Sequence, residues 1–111
     1  MKIAVPLAGG KLCSHFGHCE LFAVMDVDGQ GNVVSKDELA PPPHEPGVLP
    51  AWLHSLGVTH IIAGGMGSRA QGLFAANKIA IVVGAPSMPP EQLAEMCAAG
   101  TLVNGDNVCD H

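Results

Sequence analysis

The fold of this chain is constrained most by a short apolar run that ends in a glycine-rich turn. Residues 58–63 form the kind of short apolar run that makes a buried strand, and a helical pattern begins at Ser68. The turn between them consists of three glycines and one methionine: Gly64, Gly65, Met66 and Gly67. Because backbone N–H groups and a helix N-terminus converge at such a turn, it can bind an anion. The alternative is that the glycines only permit a tight turn and that Met66 packs in the core.

The remaining pattern predicts an α/β domain with the element order β-β-β-α-β-α-β-α. Apolar runs predict five strands, at residues 2–7, 21–27, 33–39, 58–63 and 79–83. Helical spacing predicts three helices, at residues 48–56 and 68–77 and from about Ser87 to Ala99. An antiparallel meander followed by two parallel βα units gives a mixed five-stranded sheet with helices on its faces.

The position of each strand in that sheet follows from its polarity. The strand at residues 33–39 alternates with polar side chains, so we expect it at an edge. The strand at residues 79–83 is aliphatic throughout, so we expect it to be buried on both faces. Ligands of such sheets gather beyond the carboxyl ends of the parallel strands, where the glycine turn lies.

Composition excludes several classes of partner. A chain of 111 residues is one domain, and with 48% hydrophobic but 4% aromatic residues its predicted core is aliphatic. The net charge of −5 disfavours nucleic acid, and no apolar run approaches the length of a membrane span. The first residues are typical of a strand and lack the features of a signal peptide. We therefore expect a cytoplasmic protein whose four cysteines are thiols or ligands rather than disulfides.

A segment dense in soft ligands follows the first strand. It has the spacing C-x-H-x-x-H-C and contains Cys13, His15, His18 and Cys19. Thiolates and imidazoles together suit copper, zinc, iron or iron–sulfur species. If the first strand is central and parallel to the fourth, this segment lies beside the glycine turn. The alternative is that Phe16 anchors the segment in the core, with one cysteine buried and the histidines in solvent.

Four further side chains are candidates. His44 stands on a proline-rich linker just before a helix, although a lone loop histidine is usually solvated. Cys109 and His111 form a C-x-H pair in a C-terminal tail that can swing over a site, although tails are often disordered. Arg69 begins the second helix and adds a positive charge there, or is solvated. Cys97 lies inside the third helix and is interpreted as structural.

The pattern gives little support for catalysis. The first strand carries none of the carboxylates that a ribonuclease-type site needs to hold Mg²⁺. There is no C-x-x-C, and Cys13 with His15 is too little for a cysteine-protease site. We therefore expect that the protein is not an enzyme, with a small hydrolase or a thiol-redox enzyme as the weaker alternative.

Five motifs, in this order along the chain, resemble the dinitrogenase iron–molybdenum cofactor biosynthesis family. The family's relatives include NifX-like carriers, the C-terminal domain of NifB-type proteins and the molybdenum–copper orange protein. The resemblance covers nearly the whole chain, and its motifs lie at residues 1–6, 15–19, 44–47, 62–67 and 108–111.

The resemblance implies a ribonuclease H-like fold and non-catalytic binding of an anionic metal–sulfur cluster or precursor, of iron–sulfur, iron–molybdenum–sulfur or molybdenum–copper–sulfur type. By position, the pocket would be lined by the His15-Phe16-Gly17 loop and the Gly64-Gly65-Met66-Gly67 turn, with His44, Cys109 and His111 as additions. Unlike many relatives, the chain also has Cys13 and Cys19 beside that loop, which would allow direct ligation.

The leading hypothesis is a carrier that receives a metal–sulfur cluster from a donor protein and passes it to an acceptor, as a monomer or weak dimer. Residues 1–102 would form one NifX-like domain and residues 103–111 a short Cys/His tail. The alternative is a binding or regulatory module that takes up a single Zn²⁺ or Cu⁺ ion through the same side chains.

Overall fold

The computed structural model describes residues 1–12, 20–41, 48–85 and 88–99. The strands of these ranges are β1 (Lys2–Ala8), β2 (Lys11–Leu12), β3 (Leu21–Val27), β4 (Val33–Leu39), β5 (His60–Ile62) and β6 (Ala80–Val82). Their helices are α1 (Val48–Ser55), α2 (Ser68–Ala76) and α3 (Pro90–Ala99). The predicted order of strands and helices is confirmed apart from β2.

The strands form one mixed sheet in the order β4-β3-β1-β5-β6, with β2 paired to β1. The central strand β1 is antiparallel to β3, and Leu7 pairs with Leu21. The same strand is parallel to β5, with Ile3 paired to His60. The antiparallel meander and the two parallel βα units are therefore confirmed.

The described part of the sheet has six strands rather than the five predicted. The additional strand β2 arises because Gly9 and Gly10 adopt φ angles of 64° and 83°, which fold the chain back so that Lys11 pairs with Ala8. Glycine reaches this left-handed region without steric cost. A strand of two residues is too short to produce a hydrophobic period, so the sequence pattern did not indicate it.

Two hydrophobic cores lie on opposite faces of the sheet. On one face, Phe22 of β3 packs against Trp52 of α1 in an edge-to-face arrangement with ring centroids 5.8 Å apart, and Phe74 of α2 joins this core. On the other face, Ile3 and Val5 of β1 pack with Leu93 of α3. Since β1 contributes side chains to both cores, it is apolar without alternation.

The two edges of the sheet differ in character. β4 is an edge strand as predicted; its Lys36 ammonium lies 3.2 Å from carboxylate oxygens of both Glu38 and Glu91, which links β4 to α3. The expectation that β6 is buried on both faces is wrong, because β6 is the other edge of the described sheet: Ala80 is exposed and Ile81 half-buried. In the parts of the chain described, no helix is long and apolar enough to cross a membrane.

The amino ends of β1 and β5 are joined through Thr59 and His60. The Thr59 hydroxyl accepts a hydrogen bond from the Lys2 backbone N–H at 3.1 Å and lies 2.8 Å from Nδ1 of His60. Burial, and secondarily the positive charge of the N-terminal amine, lowers the pKa of His60 below its usual value of 6.5. The folded protein therefore favours the neutral imidazole.

We expect His60 to make the folded state sensitive to acid. Since its folded pKa is lowered, the unfolded chain binds the proton more readily, and stability is lost as the pH falls through the unfolded value of about 6.5. Chemical denaturation between about pH 7.5 and about pH 5.5 should show a steeper decline for wild type than for His60→Gln. Parallel pH profiles for the two proteins would contradict this assignment.

Candidate functional site

The candidate site lies at the edge of the sheet where the parallel strands β1, β5 and β6 end. Because parallel strands present their carboxyl ends at one edge, the segments that follow these strands meet there. The glycine turn at residues 64–67 comes after β5, as the sequence predicted. The segment that contains the cysteines and histidines, residues 13–19, begins after β2 at the same edge.

The glycine turn is hydrogen-bonded to the chain that follows β6. The Ala63 N–H donates to the Val82 carbonyl at 2.8 Å, and the Ala85 N–H donates to the Ala63 carbonyl at 3.2 Å. The Gly84 N–H donates to the Gly64 carbonyl at 3.1 Å. These bonds extend the β5–β6 pairing beyond both strands, so the beginning of the turn has a fixed position.

The start of α2 supplies backbone N–H donors to this edge. Gly67 caps the helix in an extended conformation (φ −62°, ψ 152°), and as a glycine it has no side chain that could accept a hydrogen bond from the first turn. The first four N–H groups of a helix lack partners within the helix and carry its positive dipole end. A Cβ placed on Gly67 would have no described heavy atom within 4 Å, so the turn is open beside it.

Met66 occupies the core rather than the open side of the turn. It is fully buried and belongs to the core that contains Phe74 and Leu53. This placement agrees with the interpretation that Met66 is a packing residue. Gly64 and Gly65 are also buried, whereas Gly67 is half-exposed.

A glutamine of α2 fixes the turn from the helix side. The Gln71 Nε2 group donates to the Met66 carbonyl at 2.9 Å, and the Gln71 backbone N–H donates to the Gly67 carbonyl at 3.1 Å. The side chain thus binds the turn one residue before the helix cap. No hydrophobic period marks Gln71, so the sequence did not indicate this contact.

We expect Gln71→Ala to lower the free energy of unfolding by about 1 kcal/mol, which is typical for the loss of one partly buried hydrogen bond. Gln71→Glu is the matched test of the donor, because an ionised carboxylate of the same length cannot donate to the Met66 carbonyl. Urea denaturation should therefore show both variants to be destabilised. A Gln71→Glu protein as stable as wild type would contradict the role of the amide donor.

Both ends of the 13–19 segment are held at the carboxyl end of β1. Before the segment, the buried Leu12 donates its N–H to the Met88 carbonyl at 3.2 Å. After it, the Glu20 N–H donates to the Leu7 carbonyl at 2.8 Å, and its Oε1 accepts from the Gly9 N–H at 3.0 Å. The Cys/His segment therefore leaves and rejoins the described structure next to the end of β1, the strand beside β5.

Comparison with known proteins agrees with this arrangement. A family model described as dinitrogenase iron-molybdenum cofactor matches residues 1–100. The chain belongs to this family. The search of curated protein sequences found no match to this chain.

Solved structures of other proteins have the same fold as this chain. PH0822 has 24% identity and a TM-score of 0.81, with 95% of this chain and 96% of that chain covered. The mj0327 protein of Methanocaldococcus jannaschii has 19% identity and a TM-score of 0.77, with 96% of each chain covered. The apo form of the orange protein from Desulfovibrio gigas has 19% identity and a TM-score of 0.76, with 96% of this chain and 93% of that chain covered. At these identities the similarity establishes a common fold.

Nine of the predicted site residues lie outside the part of the chain that the structure describes. They are Cys13, His15, Phe16, Gly17, His18, Cys19, His44, Cys109 and His111. Their roles stay predictions. Within the described ranges, no group of three or more His, Cys, Asp and Glu side chains is arranged to hold a metal ion.

Arg69 and Cys97 are both described, and they differ in exposure. Arg69 lies in the first turn of α2 with its side chain exposed, and it makes no ion pair within the described part of the chain. Cys97 is half-buried on α3 and packs against the core that contains Ile3 and Leu93. Burial raises the pKa of the Cys97 thiol, which disfavours the thiolate that binds metals.

Proposed function

We propose that this protein binds and carries a metal–sulfur cluster without catalysing its conversion. The observation that carries the proposal is the convergence, at one edge of the sheet, of the glycine turn with both ends of the Cys/His segment. The Leu12–Met88 and Glu20–Leu7 hydrogen bonds define those ends. The family's description, dinitrogenase iron-molybdenum cofactor, supports cluster chemistry at this edge.

The physical properties of the edge suit a soft anion. A sulfide-bridged cluster is large and negatively charged, and the N–H groups at the start of α2 are donors with a favourable dipole. Arg69 adds a positive charge beside them. Thiolates of Cys13 and Cys19 and imidazoles of His15 and His18 are ligands that iron and copper accept.

We infer that the bound species is an iron–sulfur, iron–molybdenum–sulfur or molybdenum–copper–sulfur cluster. The family's description supports a cluster that contains iron and molybdenum. The resemblance of the sequence motifs to the molybdenum–copper orange protein adds the third type. A carrier must exchange its cargo, so we further propose a donor and an acceptor protein as partners. An open turn beside Gly67 is compatible with such exchange.

We also assign the domain to the ribonuclease H-like folds. The supporting feature is the sheet order, in which a central β1 separates the antiparallel strands β3 and β4 from the parallel strands β5 and β6.

Metal and sulfide analysis after anaerobic purification is the experiment that tests the proposed function. A cluster carrier should contain sulfide together with several metal ions per chain. It should also gain visible absorption on reconstitution with iron and sulfide, or with tetrathiomolybdate and copper. One Zn²⁺ or Cu⁺ per chain without sulfide would instead support the single-ion module. Failure to bind either clusters or ions would overturn both functions.

A further inference from the structure

A groove that the proposed function does not use lies along α3. The groove has a volume of about 370 Å³ and is lined by Met88, Gln92, Glu95, Met96 and Ala99. Its walls are predominantly apolar, and two flexible thioether side chains contribute to them. We refer to it as the α3 groove.

The α3 groove connects the two ends of the sheet. At one end, the Met88 carbonyl accepts the Leu12 N–H, next to the start of the Cys/His segment. At the other end, Ala98 lies close to the β3–β4 hairpin, since a Cβ on Gly31 would be 3.9 Å from the Ala98 Cβ. Ten helical residues at 1.5 Å each place these ends about 15 Å apart.

The chain itself continues from the far end of the groove. Ala99 is both the last residue of α3 and a lining residue, and residues 100–111 follow it. Leu102 and Val103 are adjacent aliphatic residues that follow Ala99 by three and four positions in the sequence. From Ala99 to Cys109 an extended chain can span about 33 Å, which exceeds the length of the groove.

We propose that Leu102 and Val103 dock in the α3 groove and turn the C-terminal segment back along α3. The occupant is this chain's own tail, because the tail begins at the groove and has an aliphatic pair at the right distance to fill it. The docked segment then directs Cys109 and His111 toward the edge where Leu12 meets Met88. The use of these two side chains as cluster ligands rests on the proposed function, whereas the docking does not.

Methyl NMR of the metal-free full chain tests the docking. The chain has five methionines, and with ¹³C-methyl labelling the Met88 and Met96 signals report on the groove. Met66 is buried on the opposite face and serves as an internal reference. We expect nuclear Overhauser contacts between Met96 and the Leu102 or Val103 methyl groups.

A paired variant supplies the second measurement. Leu102→Asp should shift the Met88 and Met96 signals and leave Met66 in place. Asn104→Asp adds the same charge to the tail but keeps the aliphatic pair, so it should leave all three signals near their wild-type positions. Absence of the contacts, with groove signals unmoved by Leu102→Asp, would overturn the proposal. Groove signals that depend on protein concentration would also overturn it, because a second copy would then be the occupant.

The two proposals fail separately. If the wild-type chain binds no cluster but the groove contacts are present, the docking stands and the proposed function fails. If both hold, Leu102→Asp should weaken cluster loading while Asn104→Asp does not. Equal loading of the two variants would overturn the delivery of Cys109 and His111 to the site.

Discussion

Replacing Cys13 and Cys19 together with serine is expected to reduce the visible absorption of the reconstituted protein to near background. Serine keeps the size of the side chain but removes the thiolate, which is the soft ligand that iron and copper prefer. Both residues belong to the segment whose ends are fixed at the carboxyl end of β1. Absorption spectra and metal and sulfide content after anaerobic reconstitution provide the measurement.

Cys97→Ser is the matched control for this experiment. Cys97 is half-buried on α3, and its thiol pKa is raised by burial, so we expect its replacement to leave cluster loading unchanged. Full loading of the double variant would show that Cys13 and Cys19 are not ligands. Equal loss in Cys97→Ser would indicate that cysteine replacement acts through the fold instead.

The largest effect on stability is expected for Phe74→Ala, at about 3–5 kcal/mol. Phe74 is fully buried and joins α2 to the core beneath α1. Its removal leaves a cavity in addition to the lost burial, and the loss is a large share of the 5–15 kcal/mol typical of a domain. Urea denaturation followed by circular dichroism measures the change in unfolding free energy.

Leu73→Ala, in the same helix, is the comparison. Leu73 is only half-buried, so we expect a clearly smaller loss. Because the glycine turn leads directly into α2, the same proteins also report on the site. Amide hydrogen exchange at Gln71, whose N–H donates to the Gly67 carbonyl at 3.1 Å, should be faster in Phe74→Ala than in Leu73→Ala. Equal losses of stability for the two variants would contradict the packing assigned to Phe74.

Much of the fold was predictable because hydrophobic periodicity is a local signal. The strands at residues 21–27 and 33–39 have the predicted bounds, and their polarity correctly placed the latter at an edge. The prediction for β6 was wrong because an aliphatic run is equally compatible with a central strand and with a short edge strand. In the described sheet β6 pairs with β5 and with no other strand, and this pairing identifies it as an edge strand.

The candidate site was predictable in part. Sequence order correctly placed the glycine turn after a parallel strand and before a helix. It did not indicate the side chains and backbone groups that position the site, since the hydrogen bonds of Gln71, Glu20 and Met88 leave no periodic pattern in the sequence. For Met66, apolar character fits both the core and a pocket, and its burial favours the core.

The sequence by itself determined the family, the order of the strands and helices, and the ligand chemistry that the chain carries. These depend on residue types and short spacings, which are present before folding. The tertiary structure determined which segments are hydrogen-bonded to each other: Leu12 to Met88, Glu20 to Leu7, and the glycine turn to the chain after β6. Those contacts join residues far apart in sequence, so they form only when the chain folds.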